Sequence, residues 1–245
     1  MRFTLALLLT ALGTSGCAHY SIPVGELESP EALGKGQTAS MDLVGMLGGP
    51  DLIALSVQPA KDASDPQATT PKPRLQNNYT NPYFGFYVPV SDRIDIGVRL
   101  APFSPNQARI KVQLAGAPQE QAMRGNFSAA FVAGAGLLLG NVVQSTSQTE
   151  STTLLTFSGA FLGGYRLWDH HLFSGGPSAR YATLSGPSSI AGSGTVFGGH
   201  LQYQYDAESL LFKLEATGFT GGYTRQNSEL DLKGIVGGIS LGFRL

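Results

Sequence analysis

The sequence predicts an all-β chain, a single antiparallel up-and-down barrel of about ten strands, with eight as the alternative count. Three observations lead there. From Gly36 to the last residue, segment after segment alternates apolar and polar residues with the period of two that a strand imposes. No apolar run reaches the roughly 18 residues a spanning helix needs, and no comparable segment carries a helical period. The connections alternate in kind, a tight turn following a longer polar loop. If successive strands run in opposite directions, all turns fall at one end and all loops at the other.

The N-terminus reads "MRFTLALLLTALGTSGCAH". Arg2 supplies a positive start, Phe3 to Leu12 an apolar core of signal-peptide length, and small residues follow. Residues 1–16 are read as a signal peptide. Cys17 is the only cysteine, so neither an intramolecular disulfide nor a cysteine metal cluster is available. Thr14-Ser15-Gly16-Cys17 resembles a bacterial lipobox. The resemblance implies cleavage before Cys17 and lipidation there. It also implies outer-membrane sorting, because Ala18 stands where inner-membrane lipoproteins carry Asp. Residues 17–35 contain Pro, Gly and Glu without a period and are read as a lipidated periplasmic linker, leaving 36–245 for the barrel.

The expected strands are 36–58, 82–90, 92–101, 108–115, 126–140, 152–167, 172–184, 194–205, 210–222 and 230–245. Within the first, "LGGP" is a turn signal, and a single bent strand keeps the total at ten. "PVSDRI", "LWDHHL" and "YDAESL" are tight connections. Residues 59–81, 102–107, 141–151, 185–194 and 221–229 are polar and turn-rich. They form the loop end.

The faces decide the environment. In "DRIDIGVRL", Ile94, Ile96, Val98 and Leu100 oppose Arg93, Asp95, Gly97 and Arg99. The same split recurs with Arg109, Lys111 and Gln113, with His200 and Gln202, with Lys213 and Glu215, and with Arg244. A soluble sandwich accounts for alternation equally well. Here the polar faces are rich in Gly, Ala, Ser and Gln, and aromatics such as Tyr87, Tyr165, Trp168 and Tyr205 lie near the tight-turn ends, like an interfacial girdle. The closing "GGISLGFRL" resembles the C-terminal strand by which outer-membrane barrels are recognised for assembly. In texture, the chain from 36 to 245 resembles a bacterial outer-membrane β-barrel. That resemblance implies apolar faces toward lipid and a lumen lined by Asp95, Arg99, Arg109, Lys111, Gln113, His200, Gln202, Lys213, Glu215 and Arg244, Arg93 joining them. At Gly97, a lumen position, Ser is expected to be tolerated.

Charge is sparse, at 13% Asp, Glu, Lys and Arg, and the formal net of -1 gives no case for nucleic acid. "DHH" at 169–171 lies in a tight turn, where adjacent side chains diverge, so no metal set is read there. No catalytic triad is singled out, and no cofactor is expected. The leading expectation is a non-enzymatic outer-membrane barrel lipoprotein with a structural, narrow-pore or surface-interaction role. It is tethered at Cys17 with its N-terminus periplasmic. Its partners are outer-membrane lipid and the barrel-assembly and lipoprotein-sorting machineries. Opposed acids and bases are expected to pair across the narrow lumen. A soluble periplasmic lipocalin-like binder and a lipid-modifying outer-membrane enzyme using His200 remain as alternatives.

Overall fold

A computed structural model describes residues 20–52, 78–145, 148–187, 190–207, 209–225 and 228–245. The expected signal peptide 1–16, Cys17 and most of the expected loop 59–81 lie outside the described residues. Ten antiparallel strands close into one barrel: β1 (Ser40–Pro50), β2 (Asn78–Ser91), β3 (Ile94–Leu100), β4 (Asn106–Ala115), β5 (Phe127–Ser145), β6 (Gln148–Trp168), β7 (His171–Ser185), β8 (Gly192–Ala207), β9 (Leu210–Arg225) and β10 (Ser228–Arg244). Each strand pairs with its chain neighbours, and β1 pairs with β10 to close the wall. No helix occurs among the described residues. Closure pairs the backbone of every strand and leaves no free edge.

Of residues 36–58, the described part, 36–52, contributes a single strand, β1, with a register shift between Asp42 and Val44. This bulge inserts an extra residue and breaks the parity of the strand. Leu43 and Val44 are consequently both exposed.

Two of the expected polar loops are not loops. Segments 141–151 and 221–229 largely continue as ladder, with Asn141 opposite Ser151 and Ser228 opposite Arg225. Polarity alone concealed these strand ends, because the pattern inverts there. On β10, Ile235, Ile239 and Leu241 face outward, and Ser240 faces inward. Nearer the loop end of the same strand, Leu230 and Leu232 are buried, whereas Glu229, Asp231 and Lys233 are exposed. On β9, the inward series Lys213, Glu215, Thr217 gives way to Phe219 and Tyr223.

The molecule thus has two zones. Around the tight-turn half, an apolar exterior surrounds a polar interior. Its outward runs, Phe197 to Tyr205 on β8 and Ile235 to Phe243 on β10, each cover nine residues, the length a tilted strand of about 9–11 residues uses to cross a bilayer. Leu201 and Ile235 are 75% and 78% exposed within these runs. At the loop end, the barrel has an apolar core that includes Leu154, Leu184, Val196, Phe219, Tyr223 and Leu232.

Outward aromatics ring the tight-turn end. Tyr165, Trp168 and Phe173 are exposed, and Phe173 lies 5.2 Å from the half-buried Tyr203. Tyr87, expected among them, is instead buried in the lumen, where its hydroxyl accepts a 2.8 Å hydrogen bond from Arg99 Nε.

Candidate functional site

The lumen is occupied by the chain itself. Residues 20–35, expected to be a linker, thread the barrel and are buried almost without interruption. Such a segment has no repeating face, because the wall surrounds it on every side. Its lack of period therefore reads like that of a solvated linker. At the loop end, Tyr20, Ile22 and Val24 complete the apolar core. The Ile22 and Val24 amides donate to the Pro50 and Gly48 carbonyls at 3.0 Å each, extending the β1 backbone pairing inward. Gly49 permits this approach, since a Cβ there would collide with the Ile22 carbonyl.

Below that core the threaded segment turns acidic, and the wall answers with bases. The Glu26 carboxylate is shared between Arg109 and Arg180, and its backbone carbonyl accepts from Arg99. Glu28 pairs with Arg99 at 3.1 Å and Arg109 at 3.3 Å. Glu31 takes Arg166 in a fork, Nε at 2.9 Å from Oε1 and Nη2 at 2.6 Å from Oε2, and also accepts from Asn126 Nδ2 at 2.8 Å. The bidentate geometry suits the planar guanidinium.

The sequence-derived lumen residues all project inward and are buried, except that Arg244 is half-buried at the tight-turn mouth. Several engage the plug directly. Asp95 accepts the Leu33 amide at 3.1 Å and pairs with Lys111 at 2.9 Å. Lys111 also donates to the Glu31 carbonyl, and Gln113 accepts the Ala32 amide at 2.8 Å. Glu215 accepts the Glu26 amide at 2.9 Å, the Leu27 amide at 2.6 Å and the Thr217 hydroxyl at 2.7 Å. Lys213 pairs with Asp42 at 2.9 Å. His200 and Gln202 reach into the lumen without a hydrogen-bond partner among the described residues. Arg93 does not join them, being exposed in the β2–β3 turn.

The expectation that opposed wall charges would pair holds in part: Lys111 meets Asp95, Lys213 meets Asp42, and Arg166 and Arg244 meet Asp206, but these partners lie on nearby strands. Most of the bases meet the plug instead. Among the described residues, seven wall bases (Arg99, Arg109, Lys111, Arg166, Arg180, Lys213, Arg244) and four wall acids (Asp42, Asp95, Asp206, Glu215) take part in the lumen network. The three plug carboxylates, Glu26, Glu28 and Glu31, all pair with wall bases. Such pairs gain little net stability over apolar packing, but removing one partner leaves a buried charge uncompensated.

Sequence parity was sufficient to find Arg166, Arg180 and Asp206. They share the inward phase of β6, β7 and β8 with Leu162, Ala182 and His200; Arg166 lies near the end of its expected strand, and only Asp206 sits where a turn is read. Asp42 was hidden by the bulge beside it. Nothing in the strand pattern signalled Glu26, Glu28 and Glu31.

An open depression of about 580 Å³ lies at the β6–β7 rim, lined by Glu150, Ser151, Thr153, Ser185 and Gly186. No group of three or more His, Cys, Asp or Glu placed to hold a metal occurs among the described residues. No protein-family model matches the chain, and no curated protein matches it in sequence.

Proposed function

We propose that this chain is a non-enzymatic outer-membrane β-barrel lipoprotein that anchors and presents its loop-end hairpins rather than conducting solutes. One observation carries the reading: residues 20–35 fill the lumen, and wall bases hold their carboxylates. The apolar exterior of the tight-turn half supports outer-membrane lipid as its surroundings. The lipobox-like Thr14-Ser15-Gly16-Cys17 supports lipidation and passage through the lipoprotein-sorting machinery. The alternation of β10, with Ile239 and Leu241 outward and Ser240 inward, supports passage through the barrel-assembly machinery.

The two alternatives fare less well. A lipocalin-like binder needs an apolar interior free for ligand. Here the apolar part of the interior already holds Tyr20, Ile22 and Val24. A lipid-modifying enzyme needs His200 paired with an acid and a hydroxyl. Among the described residues, neither ring nitrogen of His200 has a hydrogen-bond partner.

The test is extraction and labelling in cells. The protein is expected in the membrane fraction, with a mobility on gels that shifts on heating, and with labelled palmitate incorporated. Cys17→Ser should abolish the label and keep the shift, because barrel closure satisfies the strand backbone without the anchor. Recovery of the wild type in the soluble fraction, or absence of label from it, would refute the corresponding half of the proposal.

A further inference from the structure

The chain passes through the lumen in one direction. At the loop-end mouth, the Tyr20 hydroxyl meets Thr152, the Tyr20 carbonyl accepts the Leu52 amide at 2.8 Å, and the Ser21 amide donates to Phe103. Midway, Glu26 and Glu28 meet Arg99, Arg109 and Arg180. Further on, Glu31 meets Arg166, two residues before β6 ends at the β6–β7 turn. Finally, the Leu33 amide reaches Asp95 and the Lys35 amide reaches Asp92, both beside the β2–β3 turn. Gly34, at φ +90, lies where the chain turns back toward β1. The Thr38 amide then donates at 2.8 Å to the carbonyl of Leu245, the last residue.

From this polarity we infer that the chain enters the barrel at Tyr20 from the long-loop end, the opposite membrane face from the tight turns and Leu245. Cys17 stands three residues before Tyr20, and three residues span at most roughly 11 Å. The attachment point of the acyl group is therefore near the loop-end mouth. With the tight turns periplasmic, as short turns are in barrels of this kind, the acyl chains enter the outer leaflet from the cell surface. The sequence had placed the tether at the tight-turn end, where β1 begins. The fifteen buried residues from Tyr20 to Gly34 carry it to the other end. The sidedness rests on the direction of the plug. Its meaning for the anchor rests on the lipoprotein reading proposed above.

The discriminating experiment uses the full chain in cells and a membrane-impermeant maleimide. Two variants are compared, His19→Cys just ahead of the plug and Met123→Cys in the β4–β5 connection, where Met123 is 71% exposed. The unchanged chain measures labelling of Cys17 itself. In intact cells, His19→Cys should label to the same level as in permeabilised cells. Met123→Cys should label only after permeabilisation. Heat-dependent mobility of each variant reports folding. The reverse pattern keeps the two sites on opposite faces but places the tight turns outside, which overturns the cell-surface anchor. Both sites on one side of a folded, membrane-inserted chain overturns the inference while leaving the barrel reading intact. Recovery of the chain in the soluble fraction overturns both.

Discussion

The tight-turn half and the loop-end extension of this barrel are built from the same strands with opposite signs. In the first, Lys213, Glu215 and Gln202 face inward, and Leu201, Leu214 and Ile239 face outward. In the second, Phe219, Tyr223 and Leu232 face inward, and Thr224, Glu229 and Lys233 are turned outward. The backbone does not change at the boundary, because the β9–β10 ladder runs unbroken from Arg225 opposite Ser228 to Leu210 opposite Phe243. What changes is the medium that each face meets. A period of two identifies a strand wherever it occurs, and only the sign of the alternation reports the solvent. On the proposed outer-membrane reading, the inversion near Thr217–Phe219 on β9 and Lys233–Ile235 on β10 marks where the lipid-facing surface would end. The plug follows the same rule, apolar through Tyr20, Ile22 and Val24 and acidic through Glu26, Glu28 and Glu31.

The largest effect is expected where the polar interior is most interdependent. Glu26→Ala removes the carboxylate shared by Arg109 and Arg180 and leaves both guanidiniums short of a partner. The loss should be about 3–5 kcal/mol, the cost of breaking a buried pair from one side. Denaturant titration of the refolded barrel measures it. A loss below about 1 kcal/mol would mean that water or other acids replace Glu26, and that the lumen is wetter than its geometry indicates.

Next comes the outer face. Ile239→Arg puts a charge into the apolar belt and should cost about 2–4 kcal/mol in a bilayer. In a soluble protein the same exposed position would accept Arg almost freely. Folding in lipid vesicles, followed by mobility on gels, separates the two. Equal folding of Ile239→Arg and wild type would remove the lipid-facing assignment of this zone.

Gly97→Ser sharpens the picture at the inner face. Parity alone makes Gly97 a tolerant lumen position. In the structure, its Cβ would run into the ring of Tyr87 and come within 2.8 Å of the Phe86 carbonyl. Overpacking of this kind costs about 1–3 kcal/mol. Thermal melts of the purified variant test this, and an unchanged melting temperature would show that Tyr87 yields.

The smallest effect is expected beyond the belt. Lys233→Ala on the outward face of the loop-end extension should stay within about 0.5 kcal/mol, as exposed substitutions generally do. A loss comparable to that of Ile239→Arg would erase the boundary between the two zones.

The wall was legible in the sequence because alternation is local. Asp95, Arg99, Lys111 and Glu215 are placed by counting in twos along their own strands. The number of strands followed once residues 36–58 were taken as one bent element, and the bulge at Asp42–Val44 is the physical form of that bend. What escaped depends on contacts distant in sequence. Glu26 is recognisable as a lumen residue only beside Arg109 and Arg180, 83 and 154 positions away. A threaded segment carries no periodic signature, and its burial comes from a wall that the chain has not yet begun. The protruding hairpins escaped for a different reason: their outward residues are those of a soluble strand, so their polarity read as loop.

Planar-bilayer recording of the reconstituted full-length protein tests the closed lumen most directly. With residues 20–35 seated against the wall bases, no steady conductance is expected, and any residual leak should favour anions because the wall carries more bases than acids. Large, stable, cation-selective channels from the intact chain would contradict both the plug and the inward bases.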